Sequence, residues 1–423
     1  ADSIFVHDAQ ADLWACRELE PHEQRRPPAW GALTERLDDW LRSAGDLNDP
    51  GLRDDLDDFS GARAPVTLHV THSWGGGVER WVESFVDADA GGLHFQLRAE
   101  GPESGKGAGQ RLALYLGNRL EAPVAVWWLQ PPIGSATARA TTYREILEGV
   151  TERIGAGRVI VSSLVGHSLE AMSTGLPTIQ VLHDYFPRWP LLGVHPGPYL
   201  DAGRAVDLDR ALADHPLLAE FRDLDASGWA ALGQKWREAV LAGGVRVVAP
   251  SRSVVDLLGR LDPAWPTERI KTIPHGLPPL PGPSAARPRD REDGRLRLVI
   301  PGRIQEGKGQ QLLLEALPEL TRYARVCLLG AGQCGEMFFG RPDVDVVIQY
   351  RREELAGILA GMGPHVAALL SVVPETFSYT LSEMQQLRIP VIATRVGSLA
   401  ERIIDDETGW LIEPTAAALV DCV

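Results

Sequence analysis

Short apolar runs, each closed by a turn signal and followed by a stretch of helical period, recur from residue 65 almost to the end of the chain. They occupy residues 66–70, 123–128, 158–162, 178–182 and 245–249, then 296–301, 325–329, 344–348, 366–371 and 390–393. Runs this short suit strands buried on both faces, and their alternation with helices predicts βαβ units around parallel sheets. Between the two sets, Pro274, Pro278, Pro279, Pro281, Pro283 and Pro288 stand among charged residues, the composition of a semi-stiff linker. The pattern therefore predicts an α/β chain of two doubly wound domains in series. The expected divisions are an N-terminal extension over 1–64, a first domain over 65–280, a linker over 281–295 and a second domain over 296–423.

Length agrees, because 423 residues exceed one ordinary core. With 44% hydrophobic and 23% charged residues, disordered and fibrous classes are excluded. Lys and Arg number 42 against 57 Asp and Glu, a net charge of −15, which argues against a nucleic-acid partner and against general attraction to anionic lipid. Cys16, Cys327, Cys334 and Cys422 are scattered without a C-x-x-C pair, so neither a disulfide framework nor a zinc site is indicated. That usage suits a reducing cytoplasm. No apolar run reaches the ~18 residues of a membrane helix, and no signal peptide is evident. Trp14, Trp30 and Trp40 are spaced through the polar first segment. Residues 46–58 are rich in aspartate, but Pro50 takes a ligand position and no Glu closes an EF-hand loop. A solvated acidic loop is the expectation there.

Three turns invite a chemical reading. Trp74-Gly75-Gly76-Gly77 follows the strand that ends near His72, and Val78, Trp81, Val82, Phe85 and Val86 then form a helical stripe. Such a turn admits a ligand to the backbone, and the helix start favours an anion, though many glycine turns only close a βα unit. Gly330-Ala331-Gly332-Gln333-Cys334-Gly335 is a literal G-x-G-x-x-G. It imitates a dinucleotide fingerprint, yet Gly340-Arg341-Pro342 leaves little room for the helix that NAD binding needs. A plain sheet-end turn is expected. Asp343-Val344-Asp345 similarly imitates a metal-binding D-x-D but opens a strand.

The informative turn is Glu375-Thr376-Phe377-Ser378-Tyr379-Thr380-Leu381-Ser382-Glu383. Its two glutamates bracket a predicted helix start, ~12 Å apart along the axis. Between them lie first-turn N–H groups without intrahelical acceptors. Carboxylates at both ends and N–H donors between them suit a ligand with hydroxyl-bearing rings around a pyrophosphate. Arg303 and Lys308, in a glycine-rich loop after the 296–301 run, can neutralise that pyrophosphate without a metal. Two exposed helix carboxylates and a solvated basic loop are the bland alternatives, and the complementary charges weigh against them.

Together these residues resemble the retaining glycosyltransferases of family 4, from about residue 66 onward. The resemblance is carried by Gly75, Gly76 and Gly77, by Ala249-Pro250-Ser251, Ile273-Pro274-His275-Gly276, the Arg303 and Lys308 loop and the E-x7-E motif. Arg395-Val396-Gly397-Ser398 and Thr408-Gly409-Trp410-Leu411 are similar to the family's trailing segments. His69-Val70-Thr71-His72-Ser73-Trp74 and His183-Asp184-Tyr185-Phe186-Pro187 are similar to enzymes that build bacterial surface polysaccharides such as O-antigen or capsule. The resemblance implies a GT-B fold, two Rossmann-like domains facing across a cleft. It also implies a hexose transferred with retention from a nucleotide-diphosphate sugar, a co-substrate, with no cofactor and no metal.

Roles follow position by position. The resemblance places Glu375 on the donor sugar, Glu383 on the ribose, and Arg303 and Lys308 on the leaving diphosphate. Gly75, Gly76, Gly77, Phe377, Ser378, Tyr379 and Thr380 complete the implied donor site, and His183 faces the reacting sugar. The family's account is front-face attack in which the leaving phosphate takes the acceptor's proton, so electrostatic stabilisation of that group dominates. The family often has Gly where Ser378 stands, and Asp405-Asp406-Glu407 varies a loop that often contains Gly.

The expected acceptor is a glycan or lipid-linked oligosaccharide, handled in the cytoplasm or at the inner face of the plasma membrane, with peripheral membrane contact compatible. A catalytically idle GT-B module that binds glycan or positions partner enzymes is the alternative, and an NAD-dependent oxidoreductase the third. Position 1 is Ala, and the chain stops soon after Trp410-Leu411. The expectation is an excised portion of a larger polypeptide, lacking a C-terminal end, with other catalytic domains of that polypeptide as partners.

Overall fold

A computed structural model describes residues 3–8, 13–18, 66–89, 91–101, 109–200, 206–215, 221–290 and 293–423. The acidic stretch 46–58, together with Trp30 and Trp40, lies outside the described residues. Near the N-terminus, where the sequence pattern is irregular, β1 (Ser3–Asp8) pairs antiparallel with β2 (Leu13–Glu18). The runs Ile4-Phe5-Val6 and Leu13-Trp14-Ala15 around a polar connection account for that hairpin.

The chain divides into two compact units. The first comprises residues up to Leu192, Tyr199–Pro250 and Val255–Gly276; the second comprises Gly193–Pro198, Ser251–Val254 and Leu277–Val423.

In the first unit, β3 (Val66–His72), β4 (Leu93–Glu100), β5 (Gly109–Leu116), β6 (Ala125–Ile133), β8 (Ala156–Val161), β10 (Thr178–Val181), β11 (Arg246–Ala249) and β12 (Ile270–Thr272) form one sheet. Its order is β12-β11-β10-β8-β3-β4-β5-β6. A two-residue pair, β7 (Ala136–Thr137) with β9 (His167–Ser168), stands apart. The strands from β12 to β4 are parallel, whereas β5 pairs antiparallel with β4 and with the edge strand β6. The run at 123–128 is therefore not a member of a βαβ unit but an antiparallel edge strand. Helix α1 (Gly76–Ala88) packs Val78, Trp81, Val82 and Phe85 inward.

The second unit holds a wholly parallel sheet of β13 (Leu296–Pro301), β14 (Ala324–Leu329), β15 (Val344–Val347), β16 (Val366–Leu369), β17 (Val391–Thr394) and β18 (Trp410–Ile412). Its order is β15-β14-β13-β16-β17-β18, the doubly wound arrangement whose switch point lies between β13 and β16. Alternation along β13 shows why both faces are covered. Leu298 and Ile300 join Leu313, Leu317 and Leu320 of the helix Gln310–Leu320 on one side. Val299 joins Leu355, Leu359, Leu381 and Met384 on the other. The proline-rich stretch is not a free spacer: Leu280 N–H donates to Gln386 Oε1, Ala286 N–H to the Leu387 carbonyl and Arg289 N–H to the Gly363 carbonyl. It is strapped along the second unit.

Candidate functional site

In an open parallel sheet, ligands bind beyond the carboxyl ends of the strands at the switch point. The loops that leave β13 and β16 there are the ones that carry Arg303, Lys308 and Glu375. The first loop turns at Gly302 (φ 96°) and again at Gly309 (φ 81°) before the helix Gln310–Leu320. A Cβ on Gly309 would lie 2.1 Å from the Leu370 carbonyl oxygen, so only glycine lets the loop lie against the end of β16. The Gly307 carbonyl accepts from Val372 N–H (3.0 Å) and from the Ser371 hydroxyl (3.2 Å), which ties the two loops together.

That tie sets Lys308 beside Glu375. The ammonium donates to Glu375 Oε1, with the carboxylate mostly covered and the lysine half-exposed. Arg303 is exposed and forms no salt bridge among the described residues. A third loop, from β14, meets it: a Cβ on Gly332 would stand 3.5 Å from Arg303 Cγ. A Cβ on Gly302 would stand 3.7 Å from Thr380 Oγ1, so the first loop also reaches the start of the next helix.

That helix, Tyr379–Gln386, is capped by Ser378, whose hydroxyl accepts from Leu381 N–H at 3.4 Å. Ser378 has φ 63° and ψ 86°, a left-handed conformation at the position where resemblance suggests Gly. The Glu375 carbonyl accepts from Ser398 N–H (2.8 Å), and Gly397 sits so close that a Cβ would be 2.6 Å from the Glu375 N and O atoms. Phe377 is buried with its ring edge-on to Tyr379. Glu383 is 4% exposed, and its Oε1 is 3.5 Å from Arg352 Nε. Nothing local in the sequence signals Arg352, because the pairing joins a 3-10 turn to a helical residue 31 positions further on. Eight of the implied donor residues, Arg303, Lys308, Glu375, Phe377, Ser378, Tyr379, Thr380 and Glu383, thus belong to one end of one sheet. Negative and positive groups alternate there around a helix start, an arrangement able to hold an anion flanked by hydroxyl donors.

His183, Gly75, Gly76 and Gly77 belong to the first unit. Gly75 (φ 75°) caps the turn after β3, while Gly76 (φ 77°) and Gly77 already lie within α1. His183 follows β10 and is packed against rings. Trp81 meets it edge-on at 5.4 Å and His275 lies 5.0 Å away. Burial, with His72 nearby adding to it, pushes the His183 imidazole down to about 3, so it is neutral at physiological pH. Burial pushes the neighbouring Asp184 carboxyl up to about 6, partly offset by the Phe186 N–H that donates to its Oδ1 (2.9 Å). In the sequence Trp81 and His275 are visible only as parts of a helical stripe and of a loop motif. Their grouping with His183 comes from strand order.

Gly330 to Gly335 leads into a six-residue 3-10 turn, Gln333–Phe338, and no α-helix starts there. Asp343 is paired with Arg295 at 2.8 Å. Among the described residues no group of three or more His, Cys, Asp or Glu side chains is placed to hold a metal ion. None of the described helices is long and apolar enough to cross a membrane.

Residues 295–423, most of the second unit, match the family model "Glycosyl transferases group 1". Two curated relatives are similar, both named D-inositol 3-phosphate glycosyltransferase. The protein from Xylanimonas cellulosilytica is 31% identical over 205 residues, which cover 42% of this chain and 46% of the relative. The one from an Arthrobacter species is 32% identical over 170 residues, 36% of this chain and 40% of the relative. The match thus spans less than half the length of either. Among solved structures, sucrose-phosphate synthase from Thermosynechococcus elongatus superposes with a TM-score of 0.51 at 17% identity, over 85% of this chain and 88% of that one. The catalytic domain of starch synthase IV from Arabidopsis thaliana gives 0.51 at 10% identity, over 85% and 92%. The two parallel-sheet α/β units have the GT-B fold of glycosyltransferases, and the second carries the sequence pattern of group 1.

Proposed function

We propose that this chain is a retaining glycosyltransferase that moves a hexose from a nucleotide-diphosphate sugar to a glycan or lipid-linked oligosaccharide of a bacterial surface polysaccharide. The observation that carries the reading is the grouping of Lys308, Arg303, Glu375, Glu383 and the Ser378 turn at the switch point of one doubly wound sheet. The match to group 1 over the same residues supports it.

In this reading Lys308 and Arg303 stabilise the departing diphosphate without a metal. Charge develops on that group in the transition state, and preorganised cations are worth most there. Glu375 accepts from the sugar's hydroxyls and Glu383 from the ribose. His183, neutral in its ring cluster, offers a hydrogen bond to the reacting sugar and adds no positive charge. The anomeric C–O bond to the diphosphate breaks, the acceptor oxygen bonds that carbon on the face the diphosphate vacates, and the departing phosphate takes the acceptor's proton. The names of the curated relatives add inositol 3-phosphate to the acceptors worth testing.

Calorimetry against UDP-, GDP-, ADP- and dTDP-sugars and NAD, followed by transfer assays with retention read by NMR of the new linkage, tests the proposal. Binding of one sugar nucleotide and transfer with retained configuration are expected. Binding without transfer to any acceptor would assign the chain to an idle GT-B module, and binding of NAD alone would overturn the reading.

A further inference from the structure

The turn that opens the helix Tyr379–Gln386 is strained at Ser378, whose left-handed backbone L side chains rarely adopt. The group that holds it there lies 24 residues further on. Arg402 ends the short helix Gly397–Arg402. Its Nη1 donates to the carbonyls of Phe377 and of Ser378, the latter at 3.0 Å, and its Nη2 donates to Ser382 Oγ at 2.6 Å. The guanidinium also lies over the Phe377 ring, with Cζ 4.2 Å from the centroid. One planar fork thus grips the residue before the cap, the cap itself and the first turn after it.

Gripping the carbonyls fixes the amides. A trans peptide is planar with C=O and N–H pointing opposite ways. Directing the Phe377 carbonyl at Arg402 turns the Ser378 N–H away from it, and directing the Ser378 carbonyl does the same for the Tyr379 N–H. We infer that Arg402 is a positioning residue that locks the Ser378 turn and so aims the Ser378 and Tyr379 N–H groups at a diphosphate. This rests on the proposed reading of the site as one for a nucleotide diphosphate. A salt-bridge role is not what the geometry shows, since the guanidinium meets neutral oxygens and a ring and forms no ion pair among the described residues. Lysine cannot replace it, because a single ammonium lacks the fork that reaches both carbonyls and the hydroxyl.

The test uses the whole chain with Arg402→Ala, Arg402→Met, Ser378→Gly and the double variant Ser378→Gly/Arg402→Ala. Hydrogen exchange of the 377–381 amides is followed without ligand, and UDP, GDP, ADP and dTDP are titrated beside the matching nucleosides. Arg402→Met keeps an aliphatic stem over Phe377 and serves if the alanine variant fails to fold. At least tenfold faster exchange at Ser378 and Tyr379 is expected on loss of Arg402. So is at least tenfold weaker binding of the preferred diphosphate, with the nucleoside changed less than twofold. Ser378→Gly, which removes the strain, should recover most of that loss. Equal losses for diphosphate and nucleoside, unchanged exchange, or no recovery in the double variant would overturn the inference. If the unmodified chain binds none of the four diphosphates, the proposed function fails, and the exchange rates alone still decide whether Arg402 locks the turn.

Discussion

Lys308 donates its ammonium proton to the carboxylate of Glu375, so the cation implied for the diphosphate and the acceptor implied for the sugar satisfy each other. A bound donor has to compete with Glu375 for Lys308. Replacing Lys308 by Ala removes the cation and leaves a mostly covered carboxylate unpaired beside the phosphates. Nucleoside-diphosphate binding should weaken at least tenfold, about 1.5–3 kcal/mol for a charge-assisted hydrogen bond. Calorimetry checks this, and unchanged affinity would take Lys308 out of the site.

The same pair makes a prediction of opposite direction for its partner. Glu375→Gln frees Lys308 for the phosphates, so binding of the product diphosphate should hold or tighten. Turnover should fall at least a hundredfold, because the sugar loses its charged acceptor. A parallel loss of diphosphate affinity and of turnover would show that Glu375 serves only to hold Lys308 in place.

What was legible in the sequence was chemistry carried on short loops. Glycine, lysine and glutamate in the loops after β13 and β16 announced themselves by type and spacing, and the strand runs before them were plain. The strands β4 and β5 were not. Every residue of β4 is buried, including His94, Gln96, Arg98 and Glu100, which break any apolar run. They are tolerated because each has a partner: His94 meets His69, Gln96 donates to the Gly117 carbonyl, Arg98 pairs with Glu79, and Glu100 accepts from Arg111 and Tyr115. Arg352 and Arg402 escaped notice for a related reason. Their partners are set by strand order, which residue spacing does not encode.

His183 separates turnover from binding. Its ring is held neutral by burial, with His72 nearby adding to this, and it belongs to the first unit rather than to the charged loops. His183→Ala should lower kcat at least a hundredfold while donor affinity stays within about threefold. Because the imidazole is pushed down to about 3, no step in the pH profile of kcat between 5 and 8 should vanish in the variant. Equal loss of both parameters would assign His183 to structure.

The neighbouring carboxyl makes a stability prediction whose sign can be worked out. Burial raises Asp184 from 3.8 to about 6, so the folded state binds more protons than the unfolded state between those values. Stability contributed by the protonated form is fully present below pH 4 and is lost as pH rises through 6. Asp184→Asn keeps an acceptor for the Phe186 N–H and cannot ionise. The variant should therefore gain thermal stability over the parent at pH 7, with the advantage shrinking as pH falls from 6 to 4. His183 acts the other way in part of that window. Its lowered value means the unfolded chain takes up a proton below 6.5 while the folded chain does not, which costs stability as pH falls. Measuring both variants across pH 4–7 separates the two, since the His183→Ala advantage should grow toward acid and the Asp184→Asn advantage toward neutrality.

Gly309 tests whether the loop must lie against β16 for the charged pair to form. A methyl there would fall 2.1 Å from the Leu370 carbonyl oxygen, and the backbone sits at φ 81°. Gly309→Ala therefore adds a clash with main chain to a left-handed strain that alone costs roughly 1–2 kcal/mol. The loop cannot relax in place, since the Gly307 carbonyl two residues earlier is bonded to Val372 N–H and the Ser371 hydroxyl. The expected outcome is a loss of at least about 2 kcal/mol of stability, with diphosphate binding weakened as Lys308 moves. Val299→Ala in the core of the same unit supplies the comparison. It should destabilise through its cavity by about 1–3 kcal/mol and leave the affinity of the folded protein unchanged. If Gly309→Ala lowered stability but kept full affinity, Lys308 would not need this loop geometry to reach its ligand.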